Sequence, residues 1–153
     1  MKKIIIVFII STLSQLCNAQ NKSMTFDEAK RLNLYEALDS LYKGGLDSDS
    51  TRAIFKDQKA YIQAYQGFLR NFAKFLKLNN FVWAKPSVRC FNKIYFAQNG
   101  SVDYFLYNFK DGEISPEQAK RFAELVEQFI KTEQFGLQAN VKFAQCSPVK
   151  YSD

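Results

Sequence analysis

Two apolar segments that flank an Asn-Gly pair constrain the fold of this 153-residue chain more than any other feature. Residues 88–97 and 102–109 are rich in the β-branched and aromatic side chains that strands favour. Asn99 and Gly100 lie between them, and Asn-Gly is the preferred pair of a two-residue type I′ turn. The sequence therefore predicts a β-hairpin whose turn fixes the pairing of its strands.

The predicted turn also assigns each hairpin residue to one face of the sheet. With Gln98 opposite Ser101, Ile94 faces Phe105, and side chains then alternate along both strands. One face is mostly apolar and is expected to lie against the core; it carries Cys90, Ile94, Phe96, Phe105, Tyr107 and Phe109. The opposite face mixes charge with aromatic rings; it carries Arg89, Phe91, Lys93, Tyr95, Tyr104, Leu106 and Lys110.

Helical periodicity dominates the segment before the hairpin. Thr25 and Glu28 form a capping box, and apolar residues then recur every three or four positions as far as Gly44, which predicts a helix of about eighteen residues. The aspartates and serines at 47–50 are typical helix caps, so a second, longer helix is predicted from there to about Leu78.

The segment after the hairpin predicts one more helix and one more strand. Ser115 supplies a capping hydroxyl, a proline follows it, and Gln118 is placed to reach back. The helix is expected to end near Gly136, and residues 140–146 predict a third strand that Pro148 closes. The expected fold is α+β, with two N-terminal helices packed on a β-β-α-β three-stranded antiparallel sheet.

This order of elements over about residues 88–151, with Asn-Gly at the hairpin tip and a glycine after the helix, resembles the C-terminal domain of TonB-like proteins. The resemblance implies a periplasmic protein-binding fold. The chain lacks the proline-rich spanning linker of that family, so energy transduction is not implied.

The N-terminus has the three-part layout of a secretory signal peptide. Lys2 and Lys3 precede an apolar run over residues 4–10, and Cys17-Asn18-Ala19 ends in the small residue that a signal peptidase reads. Polar residues interrupt the run before it reaches the roughly 20 apolar residues that a membrane span needs.

Cleavage after Ala19 is therefore predicted, which leaves a single domain over residues 20–153 with a helical part (20–80) and a β-β-α-β part (88–151). The expected location is periplasmic or secreted, without a stable membrane anchor. An uncleaved anchor and a lipid anchor at Cys17 are the alternatives.

After cleavage only Cys90 and Cys146 remain, and an export compartment oxidises thiols, so a Cys90–Cys146 disulfide is predicted. The alternative is two buried free thiols. The chain contains no histidine, and two sulfurs alone leave tetrahedral zinc coordination incomplete, so no metal site is expected.

The absence of histidine also removes the imidazole that familiar serine and cysteine hydrolases need. No motif indicates another reaction or a cofactor, so the sequence predicts no enzyme and no cofactor. The net charge is +6, but Lys and Arg alternate with Asp and Glu without forming a block, so nucleic acid is not an expected partner.

Two candidate binding surfaces remain. The mixed face of the hairpin carries Arg89, Lys93, Tyr95 and Tyr104. These side chains would form a platform of the kind on which the bases of single-stranded nucleic acid stack, unless the N-terminal helices cover them. The last strand, with Val141, Lys142 and Phe143, would offer a free edge to a partner strand.

The sequence thus favours a non-enzymatic protein-interaction module of the bacterial envelope, whose partner is another envelope protein. The alternative is a small-molecule or peptide binder with an aromatic pocket between helices and sheet.

Overall fold

The structure, a computed structural model, describes residues 21–47, 49 and 53–152; the predicted signal peptide, with Cys17, lies outside these residues. The strands are β1 (Lys22–Thr25), β2 (Lys43–Gly44), β3 (Val88–Phe96), β4 (Val102–Phe109) and β5 (Phe143–Tyr151). The helices are α1 (Phe26–Arg31), α2 (Tyr35–Leu41), α3 (Gln58–Leu78) and α4 (Pro116–Thr132). Within the described part of the chain, no helix combines the length and apolar character needed to cross a membrane.

The sheet has five strands in the order β1-β4-β3-β5-β2. β3 is central and antiparallel to β4 and β5, whereas β1 and β2 pair in parallel with the strands beside them. The prediction of a three-stranded antiparallel sheet under two N-terminal helices is therefore wrong. The segment predicted as purely helical supplies both outer strands, which at four and two residues are too short to show strand alternation.

The predicted first helix is interrupted. Its capping box is confirmed, since Thr25 and Glu28 exchange hydrogen bonds. Asn33 then adopts a positive φ of 53°, and the Leu34 amide donates to the Ala29 carbonyl over 2.9 Å, which ends α1 in a Schellman motif. The helical spacing of apolar residues in the sequence continues through this break, because Leu38 of α2 and Ala29 of α1 are buried in the same cluster on one side of the sheet.

The second predicted helix begins later than expected. Its cap is Asp57, whose carboxylate accepts a 2.9 Å hydrogen bond from the Ala60 amide, rather than a residue of 47–50. From there α3 continues for 21 residues to Leu78, the predicted end. Every third or fourth residue is buried: Tyr61, Tyr65, Phe68, Phe72 and Leu76.

The hairpin register is confirmed, with Ile94 opposite Phe105, but the turn type is wrong. The Ala97 amide donates to the Ser101 carbonyl, so three residues form the loop, and only Gly100 among them has a positive φ, of 88°. A register shift between Tyr95 and Phe96 absorbs the extra residue. This is the three-residue hairpin with a bulge rather than the type I′ turn.

The last strand is displaced along the chain. The caps of α4 form as predicted, with Ser115 and Gln118 exchanging hydrogen bonds. However, β5 begins at Phe143 and continues through Pro148 to Tyr151, so Pro148 does not close the strand.

The sheet is covered on both faces. α3 and α4 lie on one face and enclose most of the apolar residues, in a core rich in ring contacts such as Phe72 against Phe129 at 4.9 Å. α1 and α2 lie on the other face over a smaller cluster, formed by Met24, Ala29, Leu38, Tyr42, Tyr95, Leu106 and Ala144. We call these the inner and outer faces.

The predicted disulfide is not formed. Cys146 lies opposite Lys93, on the outer face, whereas Cys90 lies opposite Val149, on the inner face. Both cysteines are free. Side chains alternate between the two faces along each strand, and the β3–β5 register places the two sulfurs on opposite faces of the sheet. The sequence alone does not give that register.

Candidate ligand-binding groove

The mixed face of the hairpin is occupied at its centre by α2. Tyr95 is fully buried, and its hydroxyl donates to Asp39 of α2 over 2.8 Å. Lys93 forms an ion pair with the same carboxylate. Burial, reinforced by the carboxylate, raises the pKa of Tyr95 well above its usual value. Lys93 and Tyr95 are thus anchors for a helix, not parts of an open stacking platform.

A second cluster anchors the other end of α2. Tyr42 follows α2, and its hydroxyl donates to the buried Asp103 carboxylate over 2.6 Å. Lys142 donates to the same carboxylate over 3.0 Å. Burial, and then Asp103, raise the pKa of Tyr42 well above its usual value. Lys142 therefore forms an ion pair within the fold, with about half of its side chain (51%) still exposed.

The remaining predicted surface residues are dispersed. Phe143 is fully buried in the inner core, Val141 precedes β5 and is half-buried, and Tyr104 packs at the border of the outer cluster. Arg89 is exposed, 3.8 Å from Glu113. The structure does not bring these residues together into one binding surface.

The outer edge of β5 is paired with another strand over only part of its length. The Gly45 amide donates to the Ala144 carbonyl over 2.8 Å, so the backbone polar groups of Ala144 point away from β3. Backbone direction alternates along a strand, so those of Cys146, Pro148 and Lys150 point the same way. β2 pairs only with Phe143 and Ala144, and no other described strand lies beside this edge.

This edge is partly protected. Pro148 has no amide hydrogen to donate, which is why a proline is tolerated inside β5. The Gln145 side chain donates to the Cys146 carbonyl over 2.8 Å. The Pro148 carbonyl and the amide and carbonyl of Lys150 remain available to a partner.

A groove of about 450 Å³ lies between this edge and the C-terminal half of α3. We call it the α3–β5 groove. Its floor is apolar and aromatic, with Trp83 stacked on Tyr151 at 4.9 Å and an interplanar angle of 13°. The residues that line it are Leu69, Arg70, Ala73, Lys74, Leu76, Lys77, Phe81, Trp83, Val149, Lys150, Tyr151 and Ser152.

The groove is positively charged. Its lining includes Arg70, Lys74, Lys77 and Lys150 and no acidic residue. α3 contains no Asp or Glu at all, so the cations on it have no acidic neighbour on their own helix. None of the four forms an ion pair within the described residues. A cationic wall above an apolar floor suits an amphipathic anion.

Trp83 adds a hydrogen-bond donor. Trp83 is 7% exposed, and its indole nitrogen has no protein partner among the described residues. No buried side-chain nitrogen or oxygen in that part of the chain lacks a partner, so the indole N–H is accessible to solvent, and Trp83 lines the groove.

Elsewhere, the Cys90 thiol is buried in the inner core. Burial raises the pKa of Cys90 to about 12, and its thiol donates to Asn92 over 3.1 Å. No cluster of three or more His, Cys, Asp or Glu side chains within the described ranges is arranged to hold a metal ion.

Sequence reasoning missed the groove. Arg70, Lys74 and Lys77 recur at helical spacing, a signal that is also typical of a solvated helix face. Only the packing of α3 beside β5 turns them into one wall of a groove.

Comparisons of the chain with protein-family models, with curated proteins and with solved structures found no match. The resemblance to TonB C-terminal domains therefore stays a prediction.

Proposed function

We propose that the protein is a non-enzymatic protein-interaction module that receives an extended segment of a partner protein alongside β5. The observation that carries this proposal is the open outer edge of β5 next to the α3–β5 groove. An extended segment that joins a sheet edge gains affinity from main-chain hydrogen bonds, and adjacent pockets select its alternate side chains.

The edge offers enough main-chain groups for a short added strand. In a parallel arrangement, one residue of the segment donates its amide to the Pro148 carbonyl and accepts from the Lys150 amide. Each such bond contributes about 0.5–1.5 kcal/mol net. The missing donor of Pro148 limits the length of the pairing, which also discourages self-association of the edge.

We further propose that this binding takes place in the bacterial envelope, with another envelope protein as partner. The support is the signal-peptide layout of residues 1–19.

Selection of a random peptide library on the folded chain tests the proposal, with two variants as a matched pair. Lys150→Pro removes the outward amide without touching the β3 ladder, and Lys150→Ala removes the same charge but keeps the amide. Selected peptides should bind Lys150→Pro about tenfold more weakly than Lys150→Ala, the loss expected for one main-chain bond of about 1.4 kcal/mol. Equal binding to the two variants, or no selected peptide, would contradict strand addition.

Peptide chemistry provides an independent measurement if Lys150→Pro lowers the melting temperature. N-methylation of the selected peptide should weaken binding only at alternate positions, because only every second amide faces β5. Sensitivity at every position, or at none, would argue against an added strand.

A small-molecule binder is the second candidate. The aromatic floor of the groove favours it, since Trp83, Tyr151 and Phe81 provide apolar surface next to cations. Such a ligand should bind the Lys150→Ala and Lys150→Pro variants with equal affinity.

A further inference from the structure

Resting on the proposed function, we infer that the partner segment is acidic, with carboxylates at alternate positions that face α3. The proposal names the class of partner that the α3–β5 groove selects: an extended protein segment with an acidic residue at every second position.

The charge of the groove favours an acidic partner. Arg70, Lys74 and Lys77 of α3 line the groove, and none forms an ion pair with a described residue. Lys150 contributes its backbone, since its side chain alternates with those of Val149 and Tyr151 and lies toward the outer face. Elsewhere in the described structure, Lys93 and Lys142 do find carboxylates, at Asp39 and Asp103. What distinguishes the groove is that cations line it and no acidic residue does, and an acidic partner supplies the opposite charge.

The spacing of the cations along α3 suits an extended segment. At 1.5 Å per helical residue, Arg70 and Lys74 are separated by about 6 Å along α3, and Lys77 lies about 4.5 Å further on. In an extended segment, side chains on the same side recur every 6.6–6.8 Å or so. Carboxylates at alternate positions of an added strand therefore match the separation of Arg70 and Lys74, whereas consecutive acids would send half of their charge to the opposite face.

Side chains of a strand added beside β5 would point toward α3. Val149 and Tyr151 point to the inner face of the sheet, where α3 lies. In a strand added beside β5, every second side chain points the same way, so it lies over the groove. The aliphatic stem of a glutamate then covers Leu69 and Val149 while its carboxylate reaches the cations.

The floor of the groove holds an indole donor. Trp83 is more than nine-tenths buried, and its indole N–H has no protein partner among the described residues. Water satisfies this donor in the free protein, and a carboxylate or carbonyl oxygen of a bound segment would replace that water.

A peptide also suits the site better than other polyanions do. The Pro148 carbonyl and the Lys150 amide form the main-chain pair that another strand completes. A nucleic acid or an anionic lipid surface would use the cations alone.

The test measures fluorescence anisotropy of labelled synthetic peptides with the complete folded domain. The probe alternates Glu with Thr over about ten residues, and its control replaces every Glu with Gln. We expect the Glu peptide to bind at least about tenfold more tightly, the gain from two or three exposed ion pairs, and to weaken as salt rises.

Charge reversal identifies the cations involved. Arg70→Glu with Lys74→Glu should weaken binding of the Glu peptide by more than tenfold and improve binding of a peptide that alternates Lys with Thr. Lys120→Glu is the control, because Lys120 is an exposed cation of α4 that does not line the groove. Its effect should stay within about twofold.

The outcomes separate this inference from the proposed function. Equal affinity for Glu and Gln peptides, with sensitivity to Lys150→Pro retained, would overturn the acidic partner and leave strand addition standing. Both proposals would be overturned if the Glu peptide bound Lys150→Pro and Lys150→Ala equally well and if heparin or anionic vesicles bound as tightly as the peptide.

Discussion

Cys90 and Cys146 differ in solvent exposure and in the face of the sheet on which they lie. Cys90 lies in the inner core, where burial raises its thiol pKa to about 12, while Cys146 is exposed on the outer face. Thiolate is the reactive form, so the two should differ sharply in reactivity.

We therefore expect a disulfide reagent to modify Cys146 rapidly in the native protein and Cys90 only after unfolding. The measurement is thiol titration with and without denaturant, in a Cys17→Ser background. Two reactive thiols after denaturation and one before are expected. A protein without free thiols after denaturation would restore the disulfide and contradict the β3–β5 register.

Gly100 illustrates a position where the backbone leaves no choice of residue. Its φ is 88°, and a Cβ there would lie 2.7 Å from the Phe135 carbonyl oxygen. Gly100→Ala should therefore lower the free energy of unfolding by about 1–3 kcal/mol. Gly136→Ala is the matched control, because nothing lies within 4 Å of its Cβ and its φ is not positive. Urea denaturation that finds the two variants equally stable would contradict the three-residue loop.

At the scale of elements, the attachment of α2 to the sheet depends on carboxylates shared between a tyrosine and a lysine. Tyr42 and Lys142 both donate to Asp103, and Tyr95 and Lys93 both contact Asp39. Asp103 is the more buried of the two acids, so its pairing is the more costly to break.

A double-mutant cycle tests this attachment. Asp103→Ala should destabilise the protein by about 2–3 kcal/mol, and Tyr42→Phe by about 1 kcal/mol. The two effects should fall short of additivity by about 1 kcal/mol or more, because each substitution removes the same hydrogen bond. Additive effects in urea denaturation would show that the hydroxyl and carboxylate do not interact in solution.

At the scale of the whole molecule, the sequence reveals the parts of the fold that depend on local chemistry. The capping boxes at Thr25 and Ser115 and the pairing of Ile94 with Phe105 are predicted correctly, since each depends on residues close in sequence. The short parallel edge strands β1 and β2 are missed, because their pairing with β4 and β5 joins residues far apart in the chain.

The same limit applies to the candidate site. Lys93, Tyr95 and Lys142 have the composition of a binding surface, but α2 covers Tyr95, and the two lysines form ion pairs with Asp39 and Asp103. Pro148 was expected to end the strand, yet its missing amide faces away from β3 and leaves β5 intact. Which face and which edge remain open is a property of the assembled sheet.

Residue-resolved amide exchange along β5 measures that open edge directly. The amides of Ser147 and Val149 point toward β3 and should be protected, whereas those of Cys146 and Lys150 point outward and should exchange much faster. Adding the alternating Glu-Thr peptide should slow exchange at Lys150 and leave Val149 unchanged. Uniform protection along β5 in the free protein, or no change at Lys150 with saturating peptide, would contradict binding by strand addition at this edge.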